Sequence, residues 1–173
     1  MLPNISSSYF GHVALDLSNN HFEGRVPSLP FSLATLNLSG NRFSGTLSFL
    51  CKIDTFLSFL DLSNNLLLGS LPDCWATKRM IKVLNLSNNN LSGEIPSCFG
   101  NLLTLQALYL RTNALVSELP MSLSSCIRLR FLDLGENKLS GVIPEWIEEK
   151  LSELYVLVLG SNRFHGRFPS QVC

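Results

Sequence analysis

The stretch LNLSNNNLSGEIP, residues 84–96, combines alternating leucines, a run of three asparagines, a glycine and a proline. The same arrangement recurs along most of the chain. An asparagine follows the pattern Leu-x-Leu-x-x seven times, at intervals of 21 to 25 residues: Asn20, Asn41, Asn65, Asn89, Asn113, Asn137 and Asn162. A fixed interval of this size is typical of repeat proteins, in which each copy packs only on its neighbours. The sequence therefore predicts seven stacked repeats, which we number one to seven by these asparagines.

Each of these asparagines follows two leucines, located five and three residues before it. All fourteen positions are leucine: Leu15/Leu17, Leu36/Leu38, Leu60/Leu62, Leu84/Leu86, Leu108/Leu110, Leu132/Leu134 and Leu157/Leu159. Alternation with a period of two places both leucines of a pair on one side of a short strand. A single strand cannot bury such a side, but stacked copies form a parallel sheet over a continuous leucine core.

The asparagine column marks the point where each predicted strand ends. Backbone N–H and C=O groups that leave a strand inside a core need hydrogen-bond partners, and a carboxamide supplies both donors and an acceptor. We interpret the seven asparagines as a structural ladder rather than as catalytic or ligand-binding residues.

Glycine and proline form two further columns after the asparagines. The glycines are Gly24, Gly45, Gly69, Gly93, Gly141 and Gly166, with Ser117 as the departure, and a proline follows three residues later in most repeats. Glycine at a fixed step predicts a turn that needs positive φ. Proline excludes a helix interior there, so we expect only turns or brief helical pieces, such as one within residues 144–154.

Together the columns read Leu-x-x-Leu-x-Leu-x-x-Asn-x-Leu-Ser-Gly-x-Ile-Pro, which resembles the plant-specific leucine-rich repeat from Val13 to Pro169. LDLSNNLLLGSLPDCW and LNLSNNNLSGEIPSCFG are similar to later ectodomain repeats of plant receptor-like proteins, closest to the fungal-xylanase-sensing type. The resemblance implies an α/β-class solenoid: a curved right-handed superhelix with a concave parallel β-sheet, short second strands, and turns or 3-10 pieces on the convex side. We assign residues 1–12 to an irregular start or preceding repeat, 13–169 to seven repeats, and 170–173 to a truncated next repeat.

The resemblance also implies a function. It indicates an N-glycosylated ectodomain on the extracellular side of the plasma membrane, anchored in its parent protein by a single transmembrane helix. Such an ectodomain would bind a protein or peptide ligand and signal through a receptor-kinase co-receptor in immunity or development. The chain shows no signal sequence, cysteine-paired cap or membrane helix, so we expect a fragment without membrane contact of its own. Two alternatives are a soluble apoplastic inhibitor similar to polygalacturonase-inhibiting proteins and a non-signalling decoy or scaffold.

Composition and motifs argue against other functions. Lys plus Arg and Asp plus Glu are 13 each, so no net field favours nucleic acid. No nucleotide-binding, metal-binding or hydrolase motif is present, so we expect neither an enzyme nor a cofactor. Asp16, Asp61 and Asp133 share one predicted face, but they lie two or three repeats apart, about 10 to 15 Å, too far for joint catalysis. We interpret them as solvated charges.

The predicted ligand surface is the sheet face opposite the leucines. The residues between the paired leucines are monotonous in the first four repeats and diverse from the fifth onward. Tyr, Phe and Arg are enriched where interfaces concentrate their binding energy. We therefore predict that the contact residues are Tyr109, Arg111, Arg130, Phe131, Asp133, Glu136, Tyr155 and Val158. The alternative is that the aromatic residues pack across neighbouring strands while the charges are only solvated.

Five cysteines leave at least one thiol unpaired within the chain. Stacked repeats bring neighbouring cysteines within disulfide reach. The resemblance favours Cys51 with Cys74, because FLC and DCW recur together in the family. Pairing of Cys74 with Cys98, or buried free thiols, remains the alternative.

Four Asn-x-Ser sequons predict N-glycosylation at Asn4, Asn37, Asn85 and Asn90. Asn37 and Asn85 point away from the predicted core, where a glycan would fit. Chance occurrence in a repeat rich in both residues is the alternative.

Overall fold

The computed structural model describes residues 13–29, 33–53 and 56–167 of the 173-residue chain. In these ranges the chain forms strands β1 (Val13–Asp16), β2 (Glu23–Arg25), β3 (Leu33–Asn37), β4 (Arg42–Gly45), β5 (Phe59–Asp61), β6 (Leu66–Ser70), β7 (Val83–Asn85), β8 (Asn90–Gly93), β9 (Ala107–Tyr109), β10 (Ala114–Ser117), β11 (Phe131–Asp133), β12 (Lys138–Val142), β13 (Val156–Val158) and β14 (Arg163–His165). Each of the seven repeats thus contributes two strands.

The odd-numbered strands form one seven-stranded sheet and the even-numbered strands form a second. Neighbouring strands in both sheets come from successive repeats and run parallel. This arrangement confirms the predicted solenoid with a second short strand in each repeat.

Short helices follow the second strands. In the part of the chain that the structure describes, four are 3-10 helices, at Leu47–Lys52, Asp73–Thr77, Ser97–Asn101 and Met121–Ser125, and one is an α-helix, α1 (Trp146–Lys150). The helix α1 lies within the predicted segment 144–154. The proline before each of the last three 3-10 helices has an extended backbone, so each helix begins after it.

The leucine pairs form the core, as the alternation predicts. The ten leucines of repeats two to six have no exposed surface. The pairs of repeats one and seven are only partly buried, because each terminal repeat of the described part packs on one neighbour. Full burial of a leucine contributes about 1.5–3 kcal/mol, so the repeated pairs are a main source of stability.

The asparagine ladder joins adjacent repeats. Asn65 Nδ2 donates hydrogen bonds to the carbonyls of Leu62 and Ser63 in its own repeat and of Leu38 in the preceding one, at 2.9–3.1 Å. Its Oδ1 accepts from the Phe43 N–H at 2.9 Å. The same pattern holds for the later members and for Asn41. Asn20, in repeat one, bonds to carbonyls of its own repeat, and no bond to another repeat is present among the described residues.

The glycine column has positive φ throughout, between +79° and +89°. Ser117, the departure from that column, adopts the same left-handed conformation with φ of +73°. Its hydroxyl donates a 2.8 Å hydrogen bond to Glu94 Oε1. The turn geometry is therefore imposed by the stack and is kept even where the side chain does not favour it.

Candidate functional site

Parallel register aligns the residues between the leucines into a row across the first sheet. This central row consists of Asp16, Asn37, Asp61, Asn85, Tyr109, Asp133 and Val158. A second row lies two residues earlier on the strands, and we call it the leading row. It consists of Thr35, Phe59, Val83, Ala107, Phe131 and Val156. Both rows lie opposite the leucine core, and we call the surface they form the open face.

In repeats one to four the central row is structural. Asp61 Oδ1 accepts hydrogen bonds from the backbone N–H and the hydroxyl of Ser63, at 2.9 and 2.7 Å. Its Oδ2 accepts a 3.1 Å bond from Asn85 Nδ2. These contacts close the turn after the strand and link two repeats.

Asp16 is held in the same way. Its Oδ1 accepts from the Ser18 N–H at 2.9 Å, its Oδ2 from Asn37 Nδ2 at 3.2 Å, and the Ser18 bond lowers the pKa of its carboxyl. Asp133 Oδ1 likewise accepts from the Gly135 N–H at 3.0 Å. Asp16, Asp61 and Asp133 retain contact with solvent, and each also caps the turn that follows it, a role that the sequence analysis did not predict.

Repeats five to seven present a different surface. Tyr109 replaces the turn-capping Asp or Asn of the central row and is half-buried between its neighbours. Phe131 and Val156, paired in the leading row, are 39% and 41% exposed. Tyr155, which precedes Val156, is 80% exposed. Apolar and aromatic area is thus concentrated at this end of the open face.

A charged cluster lies where the strands of repeats five and six end. Arg111 Nη2 forms an ion pair with Glu136 Oε1, and Arg111 Nη1 lies 4.0 Å from Asp133 Oδ1. The Thr112 hydroxyl donates a 2.9 Å hydrogen bond to the other carboxylate oxygen, Glu136 Oε2. The Thr112 and Arg111 hydrogen bonds and the Arg111 charge together lower the pKa of Glu136. The guanidinium is therefore fixed beside the apolar area rather than extended freely into solvent.

Gly135 provides the space for this guanidinium. A Cβ atom there would lie 3.1 Å from Arg111 Nη1 and 3.3 Å from Val158 Cγ1. In repeats one to four the equivalent position is serine: Ser18, Ser39, Ser63 and Ser87. The change to glycine lets Arg111 lie across the neighbouring repeat.

Two residues of this cluster have an unusual backbone conformation. Thr112 and Glu136 have φ of +55° and +52°, whereas the equivalent positions of the earlier repeats are asparagine or glycine. Left-handed φ is uncommon for residues other than Gly, Asn and Asp, and it is a genuine outlier for a β-branched residue. Such strain costs roughly 1–3 kcal/mol and is found most often at functional sites.

A second ion pair lies at the opposite edge, where the strands begin. Arg130 Nε lies 3.0 Å from Glu153 Oε2, and both side chains are partly exposed. The backbone N–H of Tyr155 bonds to the Arg130 carbonyl, so these residues are neighbours across the two repeats. An exposed pair of this kind contributes little to stability.

The structure thus places all eight predicted contact residues on three adjacent repeats. Tyr109, Phe131, Asp133 and Val158 lie in the two rows of the open face, and the other four lie at its edges. Sequence reasoning missed Thr112 and Gly135. The sequence differs at both places: LRTN (residues 110–113) and LGEN (residues 134–137) stand where the earlier repeats have LSNN or LSGN.

The structure contains both paired and free cysteines. Cys51 and Cys74 form a disulfide with Cα atoms 5.4 Å apart. Cys98 and Cys126 are free, and burial raises the pKa of the Cys126 thiol to about 11. Cys173 lies outside the described residues, as does the sequon asparagine Asn4.

Within residues 13–29, 33–53 and 56–167, no cluster of three or more His, Cys, Asp or Glu side chains is arranged to hold a metal ion. None of the helices in these ranges has the length and hydrophobicity of a membrane span.

Comparisons with known proteins agree with this architecture. A family model described as Leucine Rich Repeat matches residues 13–33, 32–52, 56–77, 80–102 and 128–149. Protein STRUBBELIG-RECEPTOR FAMILY 1 of Arabidopsis thaliana is 60% identical over 35 residues, which are 20% of this chain and 4% of that protein.

Among the solved structures that are similar over 90% or more of this chain are two plant receptors. The plant peptide hormone receptor RGFR1, in complex with RGF2, has a TM-score of 0.84 and 27% identity, over 90% of this chain and 25% of that one. The Arabidopsis receptor kinase HAESA, in complex with the peptide hormone IDA and the co-receptor SERK1, has a TM-score of 0.77 and 30% identity, over 92% of this chain and 31% of that one. The chain therefore spans about a third or less of the length of these relatives.

Proposed function

Because the chain belongs to the leucine-rich repeat family, of the plant receptor-like kind, we propose that repeats five to seven recognise an extracellular protein or peptide ligand through the open face. Plant receptor ectodomains are its structural neighbours, and solenoids present such faces as extended binding surfaces. The function is recognition rather than catalysis.

The observation that carries this proposal is the change of the open face between repeats four and five. Up to Asn85 the central row consists of turn-capping Asp and Asn side chains that bond to the protein itself. Asp133 keeps this role in repeat six. Tyr109 and Val158 replace it in repeats five and seven, and the face there exposes apolar groups, notably Phe131 and Val156 of the leading row. Those groups have no structural hydrogen-bonding role there and are the types that dominate binding energy at interfaces.

The charged residues at the two edges of the open face support the same proposal. Arg111 is fixed by Glu136 on one edge, and Arg130 is paired with Glu153 on the other. Side chains that are already ordered lose less entropy when a ligand binds. The two pairs therefore form a polar rim around an apolar centre, which is the usual anatomy of a protein interface.

We further propose that the parent protein is a receptor at the plasma membrane with this face outside the cell. RGFR1 binds RGF2, and HAESA binds IDA together with SERK1, so a peptide ligand and a receptor-kinase co-receptor are the partners we infer. We propose that the parent is a receptor-like protein similar to the xylanase-sensing type, and that it acts in immune or developmental signalling.

The test is capture of a partner from plant apoplastic fluid by the secreted chain. Phe131→Ala and Tyr109→Ala should reduce the recovery of a specific partner. Phe59→Ala is the matched control, because Phe59 occupies the same leading row three repeats earlier. Equal recovery with all three variants would reject the proposed surface.

A further inference from the structure

The outer face of the second sheet carries an apolar patch that the ligand surface does not explain. Leu66 and Leu68, on strand β6, are 55% and 48% exposed, while Leu67 between them is buried. The residues opposite them in the parallel register are polar, Ser44 for Leu66 and Asn90 for Leu68. Two exposed leucines side by side on a sheet favour unwanted association unless something covers them.

Asn90 lies directly opposite Leu68 in the parallel register of β6 and β8. It is exposed, and its carboxamide makes no hydrogen bond within the described part of the chain. It begins the sequon Asn90-Leu91-Ser92, whose serine is also exposed and pairs with Ser70 on β6. The sequon therefore stands beside the leucine patch with its side chain free.

The two described sequon asparagines of the open face differ from Asn90. Asn37 donates to Asp16 Oδ2 and accepts from the Ser39 N–H and hydroxyl. Asn85 donates to Asp61 Oδ2 and is half-buried. Both carboxamides already belong to the turn-capping network, whereas the Asn90 carboxamide has no structural role.

We propose that Asn90 carries an N-linked glycan whose first sugars lie over Leu66 and Leu68. In the transfer, Asn90 Nδ2 loses a proton and bonds to C1 of N-acetylglucosamine. The bond between that C1 and the oxygen of a lipid diphosphate donor breaks, and the lipid diphosphate leaves. The donor is the lipid-linked oligosaccharide of the secretory pathway, so the proposal rests on the extracellular location inferred above.

The chemistry of the sugar suits this patch. A pyranose ring has C–H groups on one face that pack against aliphatic side chains, while its hydroxyl groups remain hydrated. A glycan at this position makes the second sheet soluble and unavailable to partners. The open face, on the other sheet, is left free for the ligand.

The test uses the 173-residue chain, directed into the secretory pathway of plant cells by an added signal sequence. Glycopeptide mass spectrometry should find Asn90 modified. Ser92→Ala removes the sequon but retains Asn90, and this variant should bind more of a hydrophobic dye than the glycosylated chain. The triple variant S92A, L66S, L68S should lose that additional dye binding.

An unmodified Asn90 in the secreted chain would overturn the proposal, and so would unchanged dye binding after loss of the glycan. Both readouts are independent of ligand capture on the open face. The added signal sequence also separates this result from the natural location of the parent protein.

Discussion

Glu136 Oε2 accepts a 2.9 Å hydrogen bond from the Thr112 hydroxyl, and both residues have left-handed φ, of +52° and +55°. They occupy the same position in adjacent repeats, where the earlier repeats have asparagine or glycine. The bond joins two strained turns beside the apolar part of the open face. Every repeat has positive φ at this position, so the strain at Thr112 and Glu136 arises because they replace asparagine or glycine there.

The first prediction concerns the pKa of the Glu136 carboxyl, which lies below its ordinary value of 4.5 because of the Thr112 and Arg111 contacts. Thr112→Val removes the hydroxyl but retains the β-branched shape and its backbone strain. We expect the Glu136 pKa to rise toward 4.5 in this variant. Carboxyl ¹³C NMR titration measures it, and an unchanged pKa would contradict the assigned hydrogen bond.

The same change predicts a pH dependence of stability. The folded-state pKa of Glu136 is depressed, so its contribution is present above the unfolded-state pKa and is lost as pH falls through the folded-state pKa. The difference in unfolding free energy between the wild type and Thr112→Val should therefore shrink on acidification below about pH 4.5. A difference that grows on acidification would reverse the predicted sign.

The second prediction concerns the asparagine ladder. Asn65→Ala leaves the buried Phe43 N–H without its acceptor. It also removes one of the two carboxamide hydrogen bonds that the carbonyls of Leu38 and Leu62 each accept. We expect a loss of about 2–4 kcal/mol in unfolding free energy, measured by chemical denaturation. Asn20→Ala, at the exposed first position, should cost below about 1 kcal/mol. Equal costs would show that the link between repeats is not what stabilises the chain.

The third prediction concerns Ser117, which has φ of +73° in a column of glycines. Ser117→Gly relieves the strain of a Cβ atom in a left-handed conformation and should stabilise the chain by roughly 1 kcal/mol, despite the loss of the hydrogen bond to Glu94. Ser117→Ala loses the same hydrogen bond but retains the strain, so it should not stabilise. Thermal unfolding distinguishes the two variants, and a gain in the alanine variant would contradict this explanation.

The fourth prediction concerns the disulfide. Cys51 and Cys74 close a loop with a sequence separation of 23, so replacing both by serine should cost about 3 kcal/mol. Cys98→Ser should leave stability nearly unchanged under the same oxidising conditions, because Cys98 is free. An equally large effect of Cys98→Ser would instead favour the pairing of Cys74 with Cys98.

The sequence predicts the parts of the fold that depend on period alone. The leucine pairs, the asparagine ladder and the brief helix at Trp146–Lys150 all follow from spacing, because each repeat imposes the same environment at the same step. Ser117 follows the glycine column for the same reason. In a repeat protein, the position of a residue in the column determines its backbone conformation even when its side chain does not favour it.

The contacts of individual polar side chains were harder to predict. The turn-capping role of Asp61 requires the direction of its side chain, which alternation does not provide. The contact of Arg111 with Gly135 joins residues 24 positions apart, and it depends on the path of a long side chain across the sheet. Cysteine pairing was open for a similar reason, because stacking alone brings Cys74 near a cysteine on either side. These details require coordinates rather than a period.

Site-specific photo-crosslinking tests the central claim, that repeats five to seven bind a ligand through the open face, most directly. A photoreactive phenylalanine analogue is placed at Phe131, at Phe59 in the same row, or at Leu66 on the second sheet, and the secreted chain is irradiated in apoplastic fluid. We predict one specific adduct from position 131 that is absent from positions 59 and 66. An adduct of equal yield from position 59, or one formed only from position 66, would contradict the assignment of the ligand surface.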